Sequence, residues 1–208
     1  MRHQRTLRFV HRLSASLLVV FLFAHIANHL AALHSVEAHQ EFMAVARRVY
    51  RATFFEPFLL AAVVIQSATG LLQLRAGWGK RRDFWSRLQA LSGGYLLFFL
   101  IAHVIGVLVI RLTNLDSDFY AAAVLLTMPP LPIFYVPYYG LGVIAAFTHI
   151  ACALHFKREQ IGESGDLIAG GILAAGVVLA VVTVAAFSGV FYDIQVPHAY
   201  RDVIARFF

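Results

Sequence analysis

The chain has 208 residues, of which 60% are hydrophobic and only 13% are charged. So apolar a composition excludes an ordinary soluble domain and indicates a membrane protein. The excess of basic residues, 17 Lys and Arg against 11 Asp and Glu, is typical of the loops of such a protein, and nucleic acid is therefore not expected as a partner.

The cysteine and histidine content limits the metal chemistry that is available. The single cysteine, Cys152, lies in an apolar run. This excludes a disulfide framework and a multi-cysteine iron–sulfur or zinc site within the chain. The ten histidines are the only plausible metal ligands in number.

Five apolar runs are long enough to cross a hydrocarbon core of about 30 Å, which takes roughly 20 helical residues. A run of this kind spans a membrane as a helix, since its backbone polar groups must be satisfied internally. The first run is followed by others and lacks a small-residue cleavage site, so we interpret it as an anchor. The sequence predicts an all-α, five-helix transmembrane bundle that forms one domain over residues 1–208, with spans at about 13–34, 56–75, 90–112, 134–156 and 167–190.

The distribution of basic residues predicts the orientation of the bundle. Arginines and lysines concentrate in the tail 1–12, in the loop 75–87 and at Lys157 and Arg158, whereas the loop after the third span carries Asp116 and Asp118. Because cytoplasmic loops are enriched in Lys and Arg, the N-terminus is predicted inside and the C-terminus outside. The protein is therefore expected to be a multi-pass protein of the cytoplasmic (inner) membrane.

One basic segment disagrees with this orientation. Arg47, Arg48 and Arg51 lie in the loop after the first span, which is predicted to be outside. Glutamates accompany them, and apolar residues recur there at helical spacing: Phe42, Val45, Ala46 and Tyr50. This pattern predicts an amphipathic helix at about 40–52 that lies on the membrane surface.

Two histidines lie deep in different spans. His25 and His103 each stand about 12 residues from the inner start of a span, which places both roughly 18 Å across the membrane. Level histidines on two helices can hold one b-type haem, each with an axial nitrogen. The alternative is a pair that only joins helices by hydrogen bonds. Ionisable residues at this depth are functional by default, which favours haem.

Four further histidines lie at or near the ends of the spans. His29 follows His25 by one helical turn and shares its face, so it could replace His25 as ligand or bond a haem propionate. His34 and His39 fall in the outer loop, and His155 borders an inner loop; all three are predicted to be solvated.

His149 is predicted in the inner half of the fourth span. A partner at its level should come from the second span, but residues 66–70 of that span, QSATG, contain no histidine. His11 lies nearer the inner surface and would reach this level only through a tilt of its helix. His149 is therefore a lone haem ligand, a proton or quinone contact, or a core histidine, and the last two are favoured.

Three stretches resemble one known family. QALSG to His103, SAS to His25 and FTHIACALHF around His149 are similar to helices of the cytochrome b membrane anchor of succinate dehydrogenases and quinol:fumarate reductases, in its single-polypeptide, five-helix form. The resemblance covers most of residues 10–160. It implies that His25 and His103 bind an outer haem b. It also implies an inner haem between His149 and a second-span histidine, where this chain has Thr69, so one haem is favoured over two.

A shorter similarity concerns the inner end of the first span. His11-Arg12-Leu13-Ser14 resembles the HRxSG signature of two-subunit anchors, with Ala15 in the place of the glycine. The resemblance implies a quinone site near the inner surface that is lined by Arg12 and Ser14. The pocket that we expect there contains His11 as well, together with Gln66 and His149. A positive-inside arginine beside a helix-capping serine explains the same residues without quinone.

The expected function is that of a haem-b anchor subunit of a succinate:quinone or quinol:fumarate oxidoreductase, not catalytic alone. The expected partners are a flavoprotein subunit and an iron–sulfur subunit, docked on the basic inner face. Electrons would pass between these subunits and quinone in the membrane. Lipid would surround the bundle. Two alternatives stay open. One is a membrane cytochrome b with a different redox partner, and the other is a haem-free structural anchor.

Overall fold

The computed structural model describes residues 2–77, 79, 83–157 and 165–207. Within these residues the chain forms eight α-helices and no strand. We number them α1 (Arg2–Ala31), α2 (Val36–Tyr50), α3 (Phe55–Gly77), α4 (Phe84–Leu112), α5 (Phe119–Thr127), α6 (Pro132–His155), α7 (Gly165–Phe187) and α8 (His198–Ile204).

Five of these helices, α1, α3, α4, α6 and α7, are long and apolar enough to cross a membrane. The predicted all-α, five-span architecture is confirmed. Two helices begin earlier than predicted. α1 starts at Arg2 because the basic tail contains no proline or glycine that would break it. α4 starts at Phe84, after Asp83 caps it by accepting a hydrogen bond from the Ser86 amide at 2.9 Å.

The long helices pack in chain order. α1 packs against α3, α3 against α4, α4 against α6, and α6 against α7, while α1 makes few close contacts with α4 or α6. Small residues permit the closest approaches. A Cβ at Gly142 would lie 2.5 Å from the Phe99 ring, and one at Gly176 would lie 2.3 Å from Phe147 Cβ. In the middle of the bundle, α1 therefore does not pack closely against α4 or α6.

Three short helices, α2, α5 and α8, cover one end of the bundle. Their apolar residues form a buried cluster with the end of α7 that includes Ala32, Phe119, Val124, Phe187 and Tyr200. We call this end the outer end, following the predicted orientation, and the opposite end the inner end.

A helix is observed where the surface helix was predicted, as α2, which begins at Val36 rather than at about residue 40. Ser35 caps its start by accepting a hydrogen bond from the Ala38 amide at 3.1 Å. His39 and Met43 face the bundle and are buried, whereas Phe42, Val45 and Val49 are exposed on the opposite side. An exposed apolar stripe of this kind suits a helix that rests on the lipid surface.

Candidate functional site

His25 on α1 and His103 on α4 face each other in the interior of the bundle. Their ring centroids are 6.0 Å apart. Phe21 stacks on the His25 ring at 5.5 Å, and Phe99 stacks on the His103 ring at 5.3 Å. Aromatic side chains one helical turn before each histidine therefore hold the two rings level with each other.

The spacing of this pair fits a shared metal. A metal–imidazole nitrogen bond is about 2 Å, and each ring centroid lies about 1 Å further out, so two rings on one metal are about 6 Å apart. Among the described residues, no three His, Cys, Asp or Glu side chains form a group that could hold a bare metal ion. Two protein ligands suit a metal that brings its remaining ligands in a macrocycle, as haem does.

His29 lies next to His25, one helical turn further along α1. Its Nε2 lies 3.0 Å from His25 Nε2, as expected for residues one helical turn apart. Both residues lie on α1, so this bond does not join two helices. The other nitrogen, His29 Nδ1, is buried without a hydrogen-bond partner in the described part of the chain. A buried polar atom without a partner indicates that a further group belongs here.

His39 was predicted to be solvated, and this prediction is wrong. Its exposed fraction is 2%, and its ring stacks on His29 with centroids 5.6 Å apart. Asn28 Nδ2 donates to His39 Nε2 at 3.2 Å. Burial, and next the charge of Arg47, lower the His39 pKa to about 4, so the ring is neutral at pH 7. The error arose because α2 folds back over the end of α1; His34, in the turn before it, is exposed as predicted.

Arg47 lies on the same face of α2 as His39. Its Nη1 pairs with Asp116 Oδ1 at 3.4 Å, while its Nε and Nη2 are buried without a partner among the described residues. Arg51 shares Asp116, at 3.3 Å, and donates to Ser117 Oγ at 2.8 Å. Arg47 was predicted to lie on the membrane surface. The four-residue spacing of positions 39, 43 and 47 was the signal for a buried face.

A second polar network lies towards the inner end, around His11. The Thr69 hydroxyl donates to the Ile65 carbonyl at 2.6 Å, so Thr69 Oγ1 accepts from His11 Nδ1 at 2.9 Å. His11 Nε2 is then an acceptor and receives the Gln66 amide at 3.2 Å. The Ser14 hydroxyl donates to Gln66 Oε1 at 2.6 Å. Three of the residues predicted for a quinone site, His11, Ser14 and Gln66, are thus joined in one hydrogen-bonded chain.

His149 borders this network from α6. Its Nδ1 donates to the Gln89 carbonyl at 3.2 Å and lies 3.3 Å from Ser92 Oγ. Its Nε2 has no hydrogen-bond partner among the described residues. A Cβ at Gly93 would lie 2.9 Å from His149 Cε1, so only glycine leaves room for the ring. His149 lies within electrostatic range of His11. The histidine that acts electrostatically on His149 therefore comes from the first span rather than the second.

Two other sequence predictions concern Arg12 and His155. The Arg12 side chain is exposed, and the structure does not bring it into the inner network. His155, predicted to be solvated, is 7% exposed; its ring stacks on Trp85 at 4.1 Å and its Nδ1 lies 2.5 Å from Asp166 Oδ1. It was misjudged because α7 packs along α6 down to the inner end. The predicted basic residues Lys80, Arg81, Arg82 and Arg158 lie outside the described residues.

Comparison of the chain with models of protein families, with curated proteins and with solved structures finds no match. The chain is accordingly characterised by its own geometry, as an all-helical protein with five helices that can cross a membrane and with histidines at two levels between them.

Proposed function

We propose that this protein is a haem-b membrane anchor that exchanges electrons between a soluble partner and membrane quinone, as in succinate:quinone and quinol:fumarate oxidoreductases. The observation that carries the proposal is the His25–His103 pair, 6.0 Å apart on helices that barely touch. When bound, haem b supplies a one-electron carrier inside the bundle.

The surroundings of the pair support an axial-ligand role. Phe21 and Phe99 fix the ring positions. His29 offers a polar neighbour one turn towards the outer end, where its unpartnered Nδ1 is available to a bound group. Polar neighbours of this kind orient axial ligands and tune the metal that they hold.

We assign the inner network to the quinone headgroup. Quinol oxidation releases protons as well as electrons, so a proton acceptor must lie beside the headgroup. His149 Nδ1 is held by the Gln89 carbonyl, which leaves the Nε2 lone pair to accept a hydroxyl proton. Gln66, oriented by Ser14, has a second amide N–H for a quinone oxygen.

The soluble partner is proposed to dock at the inner end, and we expect it to carry flavin and iron–sulfur groups. The exposed basic residues described there, Arg5, Arg8, Arg12, Arg87 and Lys157, outnumber the exposed acidic residues Asp83 and Asp166. A surface with an excess of positive charge attracts a partner whose docking face is acidic. Arg12 belongs to this surface in the proposal, rather than to the quinone pocket.

A reduced-minus-oxidised spectrum with a haem-to-protein ratio tests the haem assignment. We expect one haem per chain in the wild type, loss of the signal in His25→Ala and His103→Ala, and retention in His149→Ala and in the exposed control His34→Ala. The reason is that only the first two variants remove an axial nitrogen.

Two results would contradict this assignment. A wild type without haem would leave a structural anchor in which the histidines only join helices. Two haems per chain, with one lost in both His149→Ala and His11→Ala, would give the inner site to a second haem instead of quinone.

A further inference from the structure

We propose that Arg47 and His39, on the surface helix α2, bind a carboxylate of the haem held between His25 and His103. The inference rests on the proposed function, because it assigns groups to one edge of the same cofactor. It gives α2 a role in the redox site that its amphipathic sequence alone does not suggest.

The first step is the protonation state of His39. Asn28 Nδ2 is an amide donor, so His39 Nε2 accepts at 3.2 Å. A neutral ring that accepts at Nε2 carries its proton on Nδ1. His39 Nδ1 is buried without a partner in the described part of the chain. It is therefore a buried N–H donor in need of an acceptor.

The second step concerns Arg47. Guanidinium nitrogens are donors only, and two of them, Nε and Nη2, are also buried without an acceptor among the described residues. Asp116 takes only the third nitrogen, at 3.4 Å. These two side chains, both on α2, thus present three nitrogens without an acceptor among the described residues, and two of the three belong to a cation. A set of donors with a positive charge selects an anion.

The third step is location. His39 stacks on His29, and His29 Nε2 lies 3.0 Å from His25 Nε2, so the donors continue outward from the proposed axial ligand. Arg47 is close enough to His39 for its charge to act on that ring. The atoms are shielded from solvent and lipid, which favours an anion carried by the bound cofactor over a phospholipid phosphate. Haem b carries two carboxylates at one edge.

The test is a redox titration of the haem in the full-length protein. We expect Arg47→Met to lower the ratio of reduced to oxidised haem at a fixed potential about tenfold, equal to about 59 mV for a one-electron couple. The cation next to the carboxylates stabilises the reduced state, so its loss favours oxidation. Arg48→Met, the exposed neighbour on α2, is the matched control and should leave the ratio within about twofold.

Three further variants separate a direct role from loosening of the outer end. Arg47→Lys should recover part of the ratio, since it keeps the charge. His39→Leu should shift the ratio in the same direction as Arg47→Met, whereas His34→Leu should not. Asp116→Asn, which breaks the Arg47 ion pair but leaves the cation, should shift the ratio in the opposite direction. If Arg47→Met does not retain haem, the inference is tested with Arg47→Lys and His39→Leu instead.

Infrared difference spectra with haem labelled by 13C at its carboxylates supply a second readout. The labelled bands should move in Arg47→Met and stay in Arg48→Met. A wild type without haem would overturn both the proposed function and this inference. Two results would overturn this inference alone. One is a haem-loaded Arg47→Met whose potential and infrared bands equal those of Arg48→Met. The other is an Arg47→Met that differs from the wild type only in having lost copurified phospholipid.

Discussion

At the scale of single residues, hydrogen-bond direction distinguishes the two histidine levels. His149 has one nitrogen fixed by the Gln89 carbonyl and the other without a recorded contact in the described chain. At the outer level the atoms without partners on His39 and Arg47 are N–H donors. The acceptor on His149 suits a proton-exchanging headgroup, and the donors on His39 and Arg47 suit an anion.

Ser14 provides a prediction at this scale. Ser14→Ala removes the hydroxyl that donates to Gln66 Oε1 at 2.6 Å, so the amide loses its orientation. The net value of such a hydrogen bond is about 1 kcal/mol. We therefore expect haem reduction by added quinol to slow roughly five- to tenfold, measured by stopped-flow absorbance on the purified protein.

The matched control is Ser16→Ala, two residues away. Ser16 is exposed and donates only to the Arg12 carbonyl of its own helix, at 3.0 Å. Its removal should leave the rate unchanged. Equal rates in the two variants, with haem content intact, would remove the inner network from the quinone site.

At the scale of elements, glycine decides how closely the long helices approach. Gly176 on α7 lies against Phe147 on α6, and Gly142 on α6 lies against Phe99 on α4. Phe99 is also the residue that stacks on His103, at 5.3 Å. The contact between α4 and α6 therefore helps to position His103, the proposed axial ligand.

Gly176→Ala is predicted to destabilise the α6–α7 contact. The new Cβ would lie 2.3 Å from Phe147 Cβ, and rotation of the phenyl ring does not relieve a clash with a Cβ atom. The helices must then separate, at a cost of about 1–3 kcal/mol. We expect a lower midpoint of thermal unfolding in detergent.

Gly171→Ala on the same helix is the comparison. A Cβ there meets no atom within 4 Å, and alanine favours helix over glycine by about 1 kcal/mol. Its midpoint should equal or exceed that of the wild type. If both variants melted alike, close packing at Gly176 would not limit stability.

At the scale of the whole molecule, charge gives the two ends different characters. The inner end has exposed arginines on α1, among them Arg5 and Arg8. At the outer end three arginines pair with carboxylates: Arg47 and Arg51 share Asp116, and Arg111 on α4 pairs with Glu56 on α3. Pairing explains why the arginines of α2 need not oppose the predicted orientation, since their charge is offset there.

Labelling from one side of the membrane tests the orientation. In intact cells, a membrane-impermeant maleimide should label His34→Cys at the outer end but should label Lys157→Cys only after lysis. Both positions are exposed, and the native Cys152 is 0% exposed, so it contributes little background. Labelling of Lys157→Cys in intact cells would place the N-terminus outside and the proposed partner surface on the wrong side.

The sequence by itself determined the five helices that are long and apolar enough to cross a membrane, the amphipathic helix α2, and the places of His25 and His103 on two of the long helices. These features follow from local quantities, namely the apolarity of a window, the helical period and a residue's count along its span. Each can be evaluated without knowing what the segment contacts.

Only the tertiary structure decided that His39 and Arg47 turn inward, that His11 lies near His149 and that His155 is buried. Such contacts depend on how α2 folds over α1 and on which helices pack closely, which involves residues far apart in the chain. A residue at a predicted loop or helix end is solvated only if no other element covers it. The covering helices α2 and α7 are placed by packing against the rest of the bundle.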